Sequence, residues 1–194
     1  MERKERPIIF SGPMVRAILD GSKTQTRRIV KLKQWQGIEE RHDGSPWPWM
    51  HDHDRNDDKW LPCPYGEPGD RLWVREAFMH EPADYCWEAS VSIPSRPAVT
   101  TYRADFAEGS RGAGWKPSIH MPYALSRITL EVTAVRVELL QDINTEDAWR
   151  EGVACSPDVD PAQGYRELWE QIHGAGAWDQ NPWVWVVDFV RVKP

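Results

Sequence analysis

The segment RITLEVTAVRVELLQDI, residues 127–143, has the strongest β-strand pattern in the sequence. Apolar and β-branched side chains recur at every second position, which is typical of a strand with one face in a core. The alternation places Ile128, Leu130, Val132 and Ala134 on one face and Thr129, Glu131, Thr133 and Val135 on the other. The segment therefore predicts one long strand in a fold that contains many strands and few helices.

On both sides of this strand, other segments predict further strands and three helices. The remaining strands are predicted at residues 7–11, 24–31, 69–78, 99–105 and 181–192. Helices are predicted within residues 11–23, 144–153 and 160–174, where apolar residues have helical spacing beside capping residues, Pro or Gly. The first helix is expected to follow a Ser11 cap and to end at Gly21.

Two long segments lack a regular period. Residues 34–70 are rich in Pro, Gly, Asp and His with scattered Trp, and residues 79–123 include loose sequence and a Pro-bounded connection. We expect both to be irregular insertions in a single domain that spans residues 1–194. Because closure protects the edges of short strands, the order of elements favours an α+β fold, a small β-barrel with flanking helices.

Charge is unevenly distributed along the chain, whose net charge is −6. Residues 1–41 contain ten Lys and Arg against five Asp and Glu, so the rest of the chain carries a net charge of −11. An acidic main body disfavours the binding of long nucleic acid through many phosphate contacts. A local basic pocket for a nucleotide-sized ligand is compatible with this distribution.

The sequence also indicates a compartment. No run approaches 18 consecutive apolar residues, and no continuous apolar segment follows the charged start. These patterns predict neither a membrane span nor a secretory signal. Cys63, Cys86 and Cys155 are odd in number and not closely paired, which indicates thiols in a reducing compartment. We therefore expect a cytoplasmic protein without a membrane partner.

The segment DGSKTQTRR, residues 20–28, concentrates one Lys, two Arg and two Thr after the first predicted helix. A phosphate-binding loop of the ATPase type needs Gly directly before the Lys and a helix after it. Ser22 precedes Lys23 and the helix comes earlier, so this type of loop is excluded. Two interpretations remain: the cations complement the negative end of the helix dipole, or the Lys and the hydroxyls form a reaction centre.

Metal binding and histidine catalysis are less favoured. His51–Asp54 and Cys63 are near each other in sequence, but their spacing matches no closed zinc pattern. No metal is therefore predicted, and a solvated loop is the default interpretation. His120 is in the segment SIHMP, near Trp115. Packing of His120 beside Trp115 is the preferred interpretation, and a role in a site is the alternative.

The motif GSKTQTRR resembles the signature of the ASCH superfamily, a group of PUA-like domains. Gly21, Lys23 and Arg28 match this signature, and Thr26 stands where the wider superfamily has an acid. Thr at this position is similar to the bacterial N4-acetylcytidine amidohydrolases, in which a Lys and a Thr act with a later Glu. The segment TEDAWREGV is similar to the one that supplies this Glu, and Glu151 is the matching residue. The longer sequence resembles a larger ASCH-containing group common in bacterial and phage genomes.

The resemblance implies an amidohydrolase that acts on an acylated cytosine as base, nucleoside or nucleotide. Its catalytic residues would be Lys23, Thr26 and Glu151, without a cofactor; the ligand would be a nucleoside, nucleotide or RNA, and a monomer is favoured. The expected substrate contacts are Arg28, Arg75, Trp73, Trp115 and His120. Either Thr26 attacks the substrate, or Glu151 activates a water while Lys23 and Thr26 stabilise the oxyanion. The alternative functions are a non-catalytic module that binds RNA or a modified base, and a metal-dependent ribonuclease.

Overall fold

The structure is a computed structural model that describes residues 3–52, 56–83, 85–86, 91–92, 97–107, 114–153 and 160–192. The described part is a mixed α+β fold with many strands and few helices. Its strands are β1 (Glu5–Ile9), β2 (Gln25–Ile29), β3 (Gln36–Glu40), β4 (Pro46–Asp52), β5 (Asp57–Trp60), β6 (Arg71–Arg75), β7 (Phe78–Glu81), β8 (Tyr85–Cys86), β9 (Val91–Ser92), β10 (Val99–Tyr102), β11 (Thr129–Leu139) and β12 (Trp183–Val192). Its α-helices are α1 (Gly12–Asp20), α2 (Thr145–Arg150) and α3 (Pro161–His173). Within these ranges, no helix is long and apolar enough to cross a membrane.

A five-stranded sheet in the order β1-β6-β11-β12-β2 forms the centre of the fold. β1 pairs with β6 in parallel, and the other neighbouring pairs of this sheet are antiparallel. The long strand β11 lies in the middle and pairs with β12 along its whole length. The strand predicted from residues 127–143 is therefore confirmed, with observed bounds of Thr129–Leu139.

A β-bulge in β11 changes which side chains face the two sides of the sheet. The pairing with β12 shifts between Val132 and Ala134. Val132 is buried before the bulge, whereas Val137 is buried after it and Ala134 is exposed. The predicted alternation is therefore wrong beyond Val132, because one extra residue moves all later side chains to the other face. As a result, Arg136 and Glu138 lie on the face opposite Val137.

Both faces of the central sheet are covered by apolar side chains. The first core packs one face against α1 and β4, and its members include Ile8, Phe10, Val15, Ile18, Trp47, Leu72, Val74, Leu130, Val132, Trp185, Val187 and Phe189. The second core packs the other face against α2 and α3, with Leu140, Ile143, Ala148, Tyr165, Trp169, Val184 and Val186. β12 contributes to both cores, which confirms the predicted alternation of its side chains. Full burial of each Val, Leu, Ile or Phe side chain among them contributes about 1.5–3 kcal/mol.

The helices lie where the sequence predicts them, with differences at individual residues. α1 ends at Gly21, whose φ of +87° is the left-handed conformation that glycine adopts readily. Ser11 occupies the N-terminal cap position but makes no capping hydrogen bond through its side chain, so its predicted capping role is wrong. In α3, Tyr165 and Trp169 are buried, whereas Ile172 is 51% exposed.

The first expected insertion, residues 34–70, contains a three-stranded antiparallel sheet in the order β3-β4-β5. Pro48 lies within the central strand of this sheet, although Pro normally argues against such a strand. Its carbonyl oxygen still accepts a hydrogen bond from the Leu61 amide at 2.8 Å. Trp47 is 9% exposed and packs edge-on against Trp185 of the main sheet. The prediction of an irregular segment is wrong, because burial of Trp47 and the remaining carbonyl acceptors stabilise a strand that contains Pro.

The second expected insertion, residues 79–123, is also partly regular. β7 pairs with β10, and β8 pairs with β9, in two antiparallel ribbons. The strand predicted at residues 69–78 is divided into two, because β6 ends at Arg75 and β7 begins at Phe78. The strand predicted at residues 99–105 is shorter, since a 3-10 turn replaces its last residues. Pairing between distant segments, which the local sequence does not show, accounts for these differences.

The predicted closure of the sheet into a barrel is wrong for the described part of the chain. β1 and β2 are the outer strands of the central sheet, and no strand ladder joins them there. β1 is followed closely by α1, which connects it to β2. The two edges are linked instead by a side chain, since the Arg28 Nη2 donates to the Ile9 carbonyl oxygen at 2.7 Å. The central sheet is therefore open.

Candidate functional site

Lys23 and Glu151 form a buried ion pair where α1, α2 and β2 meet. Lys23 comes shortly after α1, and Glu151 directly follows α2. The Lys23 Nζ is 2.7 Å from the Glu151 Oε2 and 2.8 Å from the Glu151 carbonyl oxygen. Their side chains are 0% and 3% exposed. Two of the three residues that the resemblance assigns to catalysis are thus in direct contact.

The backbone around this pair brings the two residues together. Lys23 and Glu151 form an isolated antiparallel bridge, and the Thr24 amide donates to the Arg150 carbonyl oxygen at 2.8 Å. Gly152 has a φ of +76°, a conformation that favours glycine. A Cβ atom at Gly152 would lie 2.8 Å from the Lys23 Cβ. Glycine at this position therefore permits the close approach of Lys23 to the end of α2.

Arg27 connects the ion pair to several acids on one face of β2. Its Nη1 is 3.2 Å from the Glu151 Oε1, and its Nη2 is 2.9 Å from the Asp147 Oδ2. Its Nε and Nη2 contact the Glu138 Oε1 at 3.1 and 2.5 Å. The same network includes Gln25, Arg136 and Asp188. Each nitrogen of this fully buried guanidinium has an acceptor, which favours a structural role for Arg27.

Thr26 and Arg28 project from the other face of β2, because side chains alternate along a strand. Thr26 is 3% exposed and pairs with a residue of the first core on β12. Within the described ranges, no hydrogen bond joins the Thr26 hydroxyl to Lys23 or Glu151, which bond each other. The adjacent Arg27 and Arg28 side chains therefore lie on opposite faces of β2.

The Phe10 ring lies close to two cations. The Lys23 Nζ is 5.8 Å and the Arg28 Cζ is 5.2 Å from its centroid. The Arg28 Nε is buried and has no partner among the residues that the structure describes. An unmet buried donor costs about 1–3 kcal/mol, so an acceptor supplied by a ligand would bind there favourably. This nitrogen makes Arg28 a candidate for ligand binding.

Burial also changes the acid–base properties of the pair. Desolvation lowers the pKa of the Lys23 amine; Glu151 opposes this shift, and the charges of Arg28 and Arg27 add to it. Burial also raises the pKa of Tyr165 well above its usual range, and its ring is 5.8 Å from the Arg27 Cζ. A lysine with a lowered pKa transfers protons at lower pH than an exposed lysine, which suits Lys23 to acid–base chemistry.

A groove of about 800 Å³ between α1 and α3 reaches Glu151. Its other walls include Ser22, Gly152, Leu168 and Ile172. This volume lies in the range of small-molecule sites. The groove offers a path from the surface to the residue that holds the Lys23 amine, and the half-exposed Ile172 side chain lies on that path.

The other predicted substrate contacts are placed elsewhere. The Arg75 Cζ is 4.7 Å from the ring centroid of Trp73, which is on the same strand. Trp115 packs against Phe106 with ring centroids 5.5 Å apart, and His120 is exposed in a 3-10 turn. In the described structure, no hydrogen bond, ion pair or ring contact joins Trp73, Arg75, Trp115 or His120 to the buried ion pair. Within the described structure, these four residues therefore do not contact the Lys23–Glu151 pair directly.

The candidate metal ligands are also separated. The His51 Nδ1 is 2.9 Å from the Asp58 Oδ1 of the neighbouring strand. Cys63 is buried, and burial raises the pKa of its thiol to about 11. Residues 53–54 of the candidate cluster and Cys155 lie outside the described residues. Within the described ranges, no three His, Cys, Asp or Glu side chains are placed to hold a metal ion.

Sequence reasoning missed three acids of the network around Arg27, of which Asp147 and Glu138 bind Arg27 itself and Asp188 binds Gln25 and Arg136. Asp147 is in the first turn of α2, where the helix dipole alone explains an acid. Glu138 reaches Arg27 only because the β11 bulge reverses its face. Asp188 carried a usable signal, since it is a charge within the apolar run of β12, and charged residues in buried strands are normally paired.

Comparisons of the chain with protein-family models, curated proteins and solved structures give no match. The ASCH resemblance therefore stays a prediction from the motifs GSKTQTRR and TEDAWREGV. The structure adds the direct contact of Lys23 with Glu151 and the position of Thr26 on β2, the strand that begins two residues after Lys23.

Proposed function

We propose that this chain is an amidohydrolase of the PUA-like ASCH group that removes an acyl group from the exocyclic amine of a modified cytosine. The observation that carries the proposal is the 2.7 Å contact between the Lys23 Nζ and the Glu151 Oε2. The motif resemblance pairs these residues although they are 128 positions apart. Contact between them is what a shared reaction requires, so the geometry supports the proposal.

A purely structural ion pair is the rival explanation of this contact. Burial of each charge costs several kcal/mol, and pairing often does no more than offset that cost. Glu151 already has a cationic partner in Arg27, at 3.2 Å. A second buried cation with a lowered pKa adds a desolvation cost. Ionisable groups with perturbed pKa values are concentrated at functional sites, which favours a chemical role for Lys23.

The reaction consists of water addition followed by loss of the amine. Glu151 accepts a proton from a water molecule, whose oxygen bonds to the acyl carbon. The carbonyl oxygen becomes an oxyanion, to which the Lys23 ammonium and the Thr26 hydroxyl donate hydrogen bonds. The C–N bond then breaks as Glu151 returns the proton to the exocyclic nitrogen. The products are the free cytosine amine and a carboxylic acid, which releases its proton to solvent.

Direct attack by the Thr26 hydroxyl is the other route. It requires a base within hydrogen-bonding distance of that hydroxyl. Among the described residues, Lys23 and Glu151 bond each other rather than Thr26, so the water route is the one proposed. Arg28 serves binding in either route, because its buried Nε has no protein acceptor in the described structure. The same observation favours a non-catalytic binding module as the second candidate function.

Hydrolysis of N4-acetylcytidine, its 5′-monophosphate and a short acetylated oligoribonucleotide tests the proposal. Release of acetate is measured by coupled assay and the nucleoside product by chromatography. The wild-type protein is expected to convert at least one substrate. Lys23→Ala and Glu151→Ala should lower kcat/KM by about 1,000-fold or more, because each removes a group that acts in the transition state. Thr26→Ala should also lower kcat/KM, because it removes a donor to the oxyanion. Thr24→Ala is its matched control, since the proposed mechanism does not use Thr24.

Failure of the wild-type protein to release product from all three substrates would overturn the proposal. In that case, saturable binding of the unreacted nucleoside would favour the binding module. Cleavage of the oligoribonucleotide that a chelator stops would favour the metal-dependent ribonuclease. Circular dichroism of each variant establishes that a loss of activity is not a loss of fold.

A further inference from the structure

A second cavity, of about 400 Å³, lies between the β3-β4-β5 sheet and the main sheet. Neither Lys23 nor Glu151 lines it. Its walls include Arg41, Trp47, Trp60, Pro62 and Glu67. Its volume is near the lower end of the range for small-molecule sites, which suits one nucleoside-sized group.

Arg41 stacks on one wall of this cavity. Its Cζ is 3.5 Å from the ring centroid of Trp47 and 5.6 Å from that of Trp60. The guanidinium makes no hydrogen bond or ion pair with a residue that the structure describes. Partial burial lowers its pKa, and Asp43 opposes this shift. The N–H groups of Arg41 are therefore not bound to an acceptor within the described structure and can donate to a ligand.

Two further groups in the cavity are available for binding. Trp60 is 41% exposed, so part of its indole ring is open. Glu67 is exposed, and its carboxylate makes no hydrogen bond or ion pair with the described residues. The cavity thus combines a planar donor, a carboxylate acceptor and an open aromatic ring.

We infer that this cavity binds a nucleobase, either of a free nucleotide or of a single strand. Bases stack on aromatic side chains and on guanidinium planes. Arg donates to adjacent ring acceptors such as O6 and N7 of guanine, and a carboxylate accepts from base amino groups such as N4 of cytosine. Glu67 would repel a simple anion, and Arg41 would repel a simple cation. A neutral ring with both donors and acceptors matches both side chains. Guanine and cytosine each combine two adjacent acceptors for the forked guanidinium with an amino group for the carboxylate, whereas the acceptors of adenine are not adjacent, so guanine and cytosine fit better than adenine.

This inference does not depend on the proposed hydrolysis. The stacking residues Arg41, Trp47 and Trp60 all come from the segment 34–70, whereas the proposed reaction uses β2 and the end of α2. Failure of either proposal would therefore leave the other standing.

Titration of the protein with GMP, CMP, AMP, UMP and an unmodified eight-nucleotide RNA tests the inference. The indole N–H resonances are followed by NMR, and Trp60→Phe assigns the Trp60 signal. GMP or CMP should shift this signal saturably. Trp35 is the internal control, because it is 62% exposed and does not line the cavity.

Arg41→Lys keeps the positive charge but loses the planar donors. It and Arg41→Ala should each weaken binding about tenfold, the effect of losing a bidentate base contact. Equal affinity for mononucleotide and RNA would identify a free nucleotide as the ligand, and tighter binding of RNA would identify a strand. A Trp60 signal that no probe shifts saturably would overturn the inference. Binding that both Arg41 variants leave unchanged would also overturn it.

Discussion

The Arg residues on the two faces of strand β2 differ in how completely their guanidinium groups are hydrogen-bonded. On one face, each nitrogen of the Arg27 guanidinium has an acceptor. On the other, the Arg28 Nη2 bonds the Ile9 carbonyl oxygen, but its buried Nε has no partner in the described structure. A satisfied buried charge holds the structure in one arrangement, whereas an unmet donor is a cost that a ligand relieves. We therefore assign a structural role to Arg27 and a binding role to Arg28. The Lys23–Glu151 pair lies between them, since Glu151 contacts Arg27 at 3.2 Å and the Lys23 Nζ is 5.8 Å from the Phe10 ring that Arg28 also approaches.

The largest effect is expected from removing the satisfied charge. Arg27→Met leaves Glu138 and Asp147 with fewer cationic partners, so the free energy of unfolding should fall by about 3–5 kcal/mol. Arg28→Met is the matched variant on the other face. It should change the free energy of unfolding by about 1 kcal/mol or less, because Arg28 is partly exposed and its Nε is unpaired. Urea unfolding followed by circular dichroism measures both losses. Equal losses would contradict the assignment of a structural role to Arg27 and not to Arg28.

The next effect is expected from removing the Thr26 hydroxyl. Thr26→Val keeps the shape of the side chain but removes the donor to the oxyanion, so kcat should fall about 100-fold. Thr26→Ser keeps the hydroxyl and should stay within about tenfold of the wild-type protein. Both are measured with the acetylated substrate that the wild-type protein converts fastest. Equal losses in the two variants would show that the methyl group, and not the hydroxyl, matters.

A smaller effect is expected where α2 meets the lysine. Gly152→Ala introduces a Cβ at positive φ, 2.8 Å from the Lys23 Cβ, and should lower the free energy of unfolding by about 2–3 kcal/mol. Gly21→Ala is the control, because Gly21 has a φ of +87° but no atom within 4 Å of an added Cβ. Its loss should be about 1 kcal/mol. A difference near zero between the two, measured by urea unfolding, would show that the contact with Lys23 is not tight.

The smallest effect is the pH dependence of Lys23. Because its pKa is lowered in the folded protein, the unfolded chain binds more protons between that pKa and the usual 10.5. The stability of the wild-type protein relative to Lys23→Met should therefore rise between pH 7 and pH 10. Urea unfolding at four pH values measures the difference. A fall over this range would mean that Glu151 raises the pKa of Lys23 instead.

The sequence predicts regular, local features of this molecule well and long-range ones poorly. The period-2 patterns of β11 and β12 and the capped helices follow from local propensity. The bulge at Val132 is a single extra residue that no pattern marks, yet it brings Glu138 to Arg27. The β3-β4-β5 sheet was not predicted, because Pro residues in a sequence argue against a strand. In the structure, burial of Trp47 in the first core stabilises this strand.

For the candidate site, the motif identified Lys23 and Glu151, whose contact the structure shows. The role of Arg27 could not be predicted, because its acids come from two segments distant in sequence, β11 and the α2 region, and burial of charge pairs is a tertiary property. The cavity around Arg41 was not predicted at all. Its walls exist only after the first insertion folds onto the main sheet.

The most direct test is a crystal structure of Glu151→Gln in complex with N4-acetylcytidine. This variant keeps a side-chain acceptor for Lys23 but cannot take the proton of the water. The acetyl carbonyl oxygen is expected within hydrogen-bonding distance of the Lys23 Nζ and the Thr26 Oγ1, with an acceptor of the ligand on the Arg28 Nε. A ligand bound only in another cavity, without contact to Lys23, Thr26 or Arg28, would contradict the proposed reaction site.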